Sequence, residues 1–251
     1  MSKKLVGLSV LTITIAWAVA AVIINSSILP TPWKTIHSFI IDLPQGLGWH
    51  ILVSGWRILV SMAIATAIGV PLGLWLGQNR RWDRFAYPFI YTTYPIPKIA
   101  LLPVIILFLG IGDSSKIFLI SLILFFQVLV IVRDASRNIP SEYVLSLRSL
   151  GANKAQILKY VYMPACLPAV LTSLRLNVAI AIAVLYLAES FATNSGLGYY
   201  VMDTWQQLAY SRMYAGVLAM SLIGSLAFIS LAYLEGRLCR WTQAGKQKQM
   251  A

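Results

Sequence analysis

Four ionisable side chains interrupt otherwise apolar stretches of this 251-residue chain: Arg57, Lys98, Arg175 and Glu189. A charge at the centre of a hydrocarbon layer costs roughly 2.5–3.5 kcal/mol on insertion scales, so each of them needs a partner, water or a route to the surface. Lys98 has the most demanding setting. It follows Pro97 in the run Tyr94-Pro95-Ile96-Pro97-Lys98-Ile99-Ala100-Leu101-Leu102-Pro103. Each proline withholds an N–H and kinks a helix. Such breaks persist in lipid only where protein or a water-filled cavity satisfies the freed backbone. On a continuous helix Lys98 would lie about 16 Å from either end. Two roles stay open for it: its ammonium faces a central cavity and favours a passing anion, or it bonds the carbonyls that the prolines free. Arg57 and Glu189 fall toward the outer ends of their segments, where they either pair as an outer gate or snorkel separately. Arg175 lies within about five turns of an inner end and can snorkel inward.

Soluble catalytic chemistry finds no footing. There is no G-x-x-x-x-G-K-[ST] phosphate loop: Gly245-Lys246 is followed by Gln247 and lacks the first glycine at the required spacing. H-E-x-x-H, G-x-S-x-G and G-x-G-x-x-G are all absent. Gly196-Leu197-Gly198 reads as a turn. His37 and His50 are far apart, and no His or Cys pair has metal-ligand spacing. Cys166 and Cys239 lie beside basic residues, which predicts thiols and no disulfide. An enzyme embedded in lipid needs a nucleophile with a base, or metal ligands, at membrane depth; Glu189 alone does not supply them. A channel would differ from a pump by needing no ATP-hydrolysing partner.

The elements that must position these residues follow from composition. Hydrophobic residues make up 59% of the chain and charged ones 11%, against about 25% charged in a soluble domain. Lipid is the solvent, and six apolar segments are long enough to use it: Leu5–Ile28, Ile51–Gly77, Tyr87–Gly110, Ile117–Val132, Leu167–Ala192 and Tyr214–Leu234. The fold class is therefore all-α membrane, a single domain over residues 1–251 with its core at 51–236. His37–Leu43 predicts a short interfacial helix before the second segment. Ala18-Val19-Ala20 after a basic start resembles a cleavage site, but the apolar run continues through Ile24, which favours an uncleaved helix. The net charge of +12 would suggest nucleic acid in a soluble protein; here its placement decides. Arg80, Arg81, Arg84, Arg133, Arg137, Arg148, Lys154, Lys159, Arg237, Arg240, Lys246 and Lys248 fall on one side, leaving Lys34, Lys116 and Arg212 on the other. The positive-inside rule then puts both termini in the cytoplasm.

The loop over residues 133–163 is long for a chain of short connections. Pro140-Ser141-Glu142 starts a helix, with Ser141 as its cap and Glu142 at the positive end. Val144, Leu147 and Leu150 share an apolar spacing, Gly151 interrupts, and Asn153 offers a second cap with Gln156 three residues on, close to a capping box. Ordered caps and an apolar face predict a docking surface rather than a solvated linker.

Ser149-Leu150-Gly151-Ala152 followed by Val161-Tyr162-Met163-Pro164 resembles the EAA loop of ABC importer permeases. That pattern is Glu-Ala-Ala, three residues, Gly, nine residues, Ile, one residue, Leu-Pro. Gly151 and Pro164 stand at its spacing; Val161 and Met163 replace Ile and Leu, and Leu145-Ser146-Leu147 occupy the name-giving positions. Tyr94-Pro95-Ile96-Pro97, Ala100-Leu101-Leu102-Pro103, Leu109-Gly110-Ile111-Gly112-Asp113, Leu174-Arg175-Leu176, Ala188-Glu189 and Gly196-Leu197-Gly198-Tyr199 look like the nitrate/sulfonate/taurine/bicarbonate branch. That branch also holds permeases for thiamine-pyrimidine precursors and riboflavin.

The resemblance implies a type I importer permease fold with a cytoplasmic coupling helix, multi-pass in a bacterial inner membrane. It implies a transport subunit rather than an enzyme, with ATP and Mg held by a separate ABC ATPase present in two copies. A second permease copy, as a homodimer, would complete the path, and a periplasmic or lipid-anchored binding protein would deliver a small anionic nutrient for alternating access. Coupling to the ATPase would fall to Ser141, Glu142, Leu147, Arg148, Leu150, Gly151, Ala152 and Pro164. The translocation path would involve Lys98, Pro95, Pro97, Arg57 and Glu189. The chain itself would hold no cofactor or metal and meet no nucleic acid, only lipid.

Overall fold

A computed structural model describes residues 3–191 and 193–241, in which every regular element is a helix. Lys246 and Lys248, Gly245, and the Ala192 end of the fifth predicted segment lie outside the described residues. Helix α1 is Lys3–Ile24, and its 22 residues span about 33 Å, enough to cross a bilayer. Helix α2 (Pro32–Asp42) starts on a proline at its first position, where no N–H is missed. A π turn at Leu43–Leu47, with Gly46 at φ 133°, joins it to α3 (Gly48–Gln78). The third predicted segment is not one helix. It divides into α4 (Arg80–Thr93) and a stretch made of a 3₁₀ turn, Lys98–Leu101, and α5 (Leu102–Leu109), bent by 77° at the break. Pro95 and Pro97 supply the cause, since neither can donate to a helical ladder. The depth expected of Lys98 assumed a continuous helix and does not apply.

Helix α6 (Asp113–Arg137) extends well beyond the apolar run, so Arg133 and Arg137, expected in the long loop, lie in its last turns. The loop carries α7 (Ser141–Ser149) and α8 (Lys154–Ile157). Through a π turn at Leu158–Tyr162, α8 runs into α9 (Met163–Glu189), forming one apolar stretch of 36 residues. Pro164 therefore does not start the fifth helix. It has no N–H for a carbonyl one turn back, and the π turn just ahead, where the Met163 N–H reaches Leu158 O, absorbs the mismatch. Helices α10 (Leu197–Gln206) and α11 (Tyr210–Leu238) follow. Among the described residues five helices are long and apolar enough to span a membrane, and six if α4 with α5 counts as one broken span.

Two compact units contain these elements: residues up to Trp56 with Tyr186–Ile223, and Arg57–Leu185 with the chain from Gly224 onward. In the first, the Trp17 indole donates to Pro30 O at 3.1 Å and stacks on Tyr214. The Tyr200 hydroxyl and Arg212 both donate to the buried Asp42 carboxylate, Arg212 at 2.7 Å. Burial and the Asp42 charge push the Tyr200 phenol upward, so it stays a donor.

In the second unit, α3 and α6 pack through a stripe of small residues. A Cβ on Gly69 would stand 3.0 Å from Val128, one on Gly73 2.9 Å from Val132 and 3.0 Å from Leu129 O, and one on Gly77 2.5 Å from Ser136. Glycine at every fourth position lets two backbones approach closely where lipid offers no hydrophobic drive between helices. Ser136 Oγ then reaches Leu74 O at 3.3 Å, and Ser61 Oγ reaches Ile117 O at 3.3 Å. Leu74, Val128, Val132, Cys166 and Val170 form the adjoining apolar core. Overpacking such a contact costs about 1–3 kcal/mol. Gly73→Leu is expected to lower the melting temperature of the detergent-purified protein, whereas Gly55→Ala, in the same helix with nothing within 4 Å of its Cβ, leaves it unchanged or raised. Equal melting of the two variants would count against the stripe.

Candidate functional site

The long loop owes its shape to local bonds. Pro140, not Ser141, is the N-cap of α7, and no side chain caps that end; Ser141 is the first helical residue, with Glu142 in the first turn as expected. At the other end the Gly151 N–H reaches Arg148 O at 2.9 Å and the Ala152 N–H reaches Leu147 O at 3.1 Å. This is a Schellman closure, which places Gly151 at the left-handed position, φ 81°. Nothing lies within 4 Å of a Cβ built there, so conformation and not crowding demands glycine. The capping box is present in full: the Asn153 side chain accepts from the Gln156 N–H at 2.9 Å, and the Gln156 side chain accepts from the Asn153 N–H at 2.8 Å. No residue of α7 is buried, and Tyr143, Leu145 and Leu150 are exposed, Leu150 by 83%. Of the predicted apolar stripe, Val144 and Leu147 are half-buried and Leu150 turns outward. Pro164 sits within the continuous helix beyond.

The proline break places a cation on open carbonyls. Lys98 Nζ donates to Thr93 O at 3.0 Å and Tyr94 O at 3.1 Å, the last carbonyls of α4, and lies 4.6 Å from the centre of the Phe126 ring on α6. These bonds satisfy the negative end of a broken helix. Pro95 and Pro97 are exposed at the break.

Arg57 is 1% exposed and therefore does not snorkel. Within its unit it donates through Nε at 2.9 Å and Nη2 at 2.6 Å to Asp113, the first residue of α6. Arg175 does not snorkel freely either: it pairs with Glu235 at 3.0 Å and lies over Phe228.

Glu189 is fully buried at the end of α9. Its carboxylate accepts from Ser54 Oγ at 2.8 Å and from the Gly198 N–H at 2.9 Å. Ser54 Oγ in turn accepts the Leu197 N–H at 2.8 Å, and His50 Nδ1 accepts the Gly196 N–H at 3.0 Å. Three successive N–H groups at the start of α10 thus find acceptors, two of them buried and one half-buried, with the carboxylate favoured by the helix dipole. The Gly-Leu-Gly turn is more than a turn: a Cβ on Gly196 would run into the Glu189 carboxyl, and one on Gly198 would lie 2.6 Å from Glu189 Cβ and Tyr186 O.

The sequence reading did not find the Gly69-Gly73-Gly77 stripe, the Asp113 partner of Arg57, or the Asp42–Tyr200–Arg212 group. The first carried a signal, glycine at every fourth position in an apolar helix. The others join residues far apart in sequence.

Apolar helices of spanning length, one broken by prolines, with a capped surface loop between two of them, define a multi-pass membrane protein. The chain belongs to the binding-protein-dependent transport system inner membrane component family, which matches residues 69–240. It is the permease subunit of an ABC importer, and ATP hydrolysis belongs to separate subunits. It is 31% identical to the taurine transport system permease protein TauC of Escherichia coli, over 94% of this chain and 88% of that one. It is 30% identical to SsuC of Escherichia coli, named for aliphatic sulfonates transport, over 94% and 91%. It is 29% identical to the formylaminopyrimidine transport permease protein ThiX of Halalkalibacterium halodurans, over 92% and 93%. A chain of the MetNI methionine ABC transporter, solved in inward-facing conformations, superposes with a TM-score of 0.65 over 78% of this chain and 98% of that one at 18% identity, giving the type I importer fold.

Ser54→Ala removes the hydroxyl that links Leu197 N–H to Glu189. Leaving a buried donor unsatisfied costs about 1–3 kcal/mol. The variant is expected to melt lower than the parent in detergent and Ser54→Thr to recover part of the loss; unchanged melting in Ser54→Ala would show the link to be idle.

Proposed function

We propose that this chain forms, with a second copy of itself, the path by which a small sulfonate of the taurine type enters a bacterial cell. The observation that carries the coupling part is α7, a surface helix with no buried residue, closed at its end by a Schellman motif and followed at once by the capping box that opens α8. Ser141, Glu142, Leu147, Arg148, Leu150, Gly151 and Ala152 offer that surface to an ATPase subunit, with Pro164 in the helix behind it. ATP and Mg belong to that partner, in two copies, and a binding protein delivers the solute from the other side. Likeness to TauC and SsuC over most of the chain supports the sulfonate class; likeness to ThiX supports a thiamine-pyrimidine precursor as the second reading. Lys98, Pro95, Pro97, Arg57 and Glu189 are assigned to the path, Lys98 because a cation beside a break suits an anionic cargo.

The Lys/Arg asymmetry supports a cytoplasmic side for the 133–163 loop and both termini. A thiol introduced as Lys154→Cys should react with an impermeant maleimide only after cells are opened; labelling from outside would reverse the topology.

Proteoliposome uptake with the cognate ATPase and binding protein tests the function. ATP-driven taurine accumulation is expected, and accumulation of a formylaminopyrimidine instead would select the second reading. Proline at position 151 cannot adopt positive φ. Gly151→Pro should leave the protein in the membrane while abolishing uptake or ATPase co-purification. Lys98→Met should retain the ATPase and slow uptake, with Lys98→Arg partly active; full uptake by Gly151→Pro removes the docking role, and full uptake by Lys98→Met removes Lys98 from the path.

A further inference from the structure

Where α3 ends and α4 begins, an open cavity of about 370 Å³ is lined by Arg80, Asp83, Arg84, Tyr87 and Arg137. A neighbouring lobe of about 320 Å³ shares Arg80, Asp83 and Arg137 and reaches Gly77 and Gln78. Arg80, Arg84 and Tyr87 follow one another at four- and three-residue spacing and so share one face of α4. Aromatic and cationic neighbours hold that wall in place. The Arg133 guanidinium lies 5.1 Å from the centre of the Tyr87 ring, and the Tyr91 ring lies 4.2 Å from it.

The acids of this corner are already committed. Asp83 is buried, and its carboxylate accepts from Arg133 Nε, from Arg133 Nη2 at 2.9 Å and from Arg137 Nη1 at 3.0 Å. Asp134 holds Arg133 at 2.7 Å. Arg80 and Arg84 are exposed, and among the described residues neither has a carboxylate within ion-pair distance. Four guanidinium groups therefore share two carboxylates, and a carboxylate for Arg80 and Arg84 has to come from another molecule. Two arginines one helical turn apart present forks that match such a group.

Continuity of the surface says which molecule. Arg137 lines the cavity and is the last residue of α6, and α7 begins four residues later at Ser141. Four residues span at most about 14 Å. The cavity thus borders the uncovered helix, and the chain belongs to a transport system whose ATP hydrolysis is the work of separate subunits. With α7 as the docking helix of the proposed function, we propose that Arg80 and Arg84 form a second contact with the ATPase subunit and take an aspartate or glutamate side chain of that partner. The partner then holds α4 as well as the loop, and α4 is the helix that leads from α3 to the proline break.

The test uses the purified full-length chain in nanodiscs of phosphatidylcholine, a neutral lipid, titrated with its ATPase subunit. Arg80→Gln with Arg84→Gln should weaken binding about tenfold at unchanged melting, the size of one charge-assisted contact. The weakening by salt seen with wild type should flatten in that variant. Lys34→Gln, an exposed cation on α2, should leave binding unchanged. Arg84→Lys keeps the charge and loses the fork, and should bind about threefold more weakly. Should the double variant fail to fold, Arg84→Lys carries the test: a water-soluble carbodiimide should join its new amine to an aspartate or glutamate of the ATPase, located by peptide mass spectrometry. Wild-type affinity in the folded double variant, or a cross-link confined to permease peptides, would overturn the proposal. If phosphatidylglycerol from mixed discs is then retained by wild type and lost by the double variant, the arginines belong to lipid instead. Gly151→Pro keeps the two contacts apart. ATPase binding lost there but full in the double variant strikes the cavity contact and leaves α7 as the docking helix; the reverse pattern strikes the role of α7 and retains the cavity contact.

Discussion

Hydrocarbon supplies no water to a polar group, and the chain answers that constraint wherever a charge or an open backbone end falls inside it. Arg133 and Asp83 are both buried and bonded through two nitrogens of one guanidinium. Removing one member of such a pair typically costs about 3–5 kcal/mol, because the other charge is left alone. Arg57 holds Asp113, Arg212 holds Asp42, and Lys98 covers the carbonyls that the prolines expose. The N–H groups that open α10 end on His50, Ser54 and Glu189. Every intramembrane charge singled out in the sequence thus has a structural duty.

Those pairings depend on how closely the helices approach. In the Arg57–Leu185 unit, the glycine stripe of α3 brings the α6 backbone within reach of hydroxyl-to-carbonyl bonds, Ser136 to Leu74 and Ser61 to Ile117. Gly77 is the last contact of that stripe, and a Cβ there would meet Ser136 and Arg133 O. One turn later the chain enters α4 and presents Asp83 to Arg133. A side chain at Gly77 would hold the helix ends apart and pull the carboxylate away from its cation, so the small residues and the ion pair form one device.

Legibility in the sequence followed the range of the interaction. The Asn153–Gln156 cap and the break at Gly151 were readable because donor and acceptor lie within a few residues. The helical segments were readable because lipid imposes a long apolar run. Ser141 misled, since a proline can itself occupy the cap position and leave the serine one step inside. The break at Tyr94–Pro97 was visible as a proline cluster, but a run of apolar residues does not encode a 77° bend. The partners of Arg57 and Arg175 lie 56 and 60 residues away, at Asp113 and Glu235, and nothing local points to them.

The contrast between the loop and the core bears on mechanism. Burial fixes α6, whereas α7 has no buried residue and is closed by backbone bonds at Gly151, with reciprocal side-chain bonds at Asn153 opening α8 just beyond. A helix stabilised by its own caps does not need its outer face covered, so that face can be solvated or occupied without the backbone being rebuilt. Beyond Asn153 the chain continues as one helical stretch from Lys154 to Glu189. Residues 150–153, closed by the Schellman bonds at one end and the capping box at the other, separate α7 from that hydrogen-bonded rod. The π turn at Leu158–Tyr162 lies at the root of that rod, just ahead of Pro164. It is the place where the ladder changes register, which lets Pro164 stand in the rod without an N–H to offer one turn back.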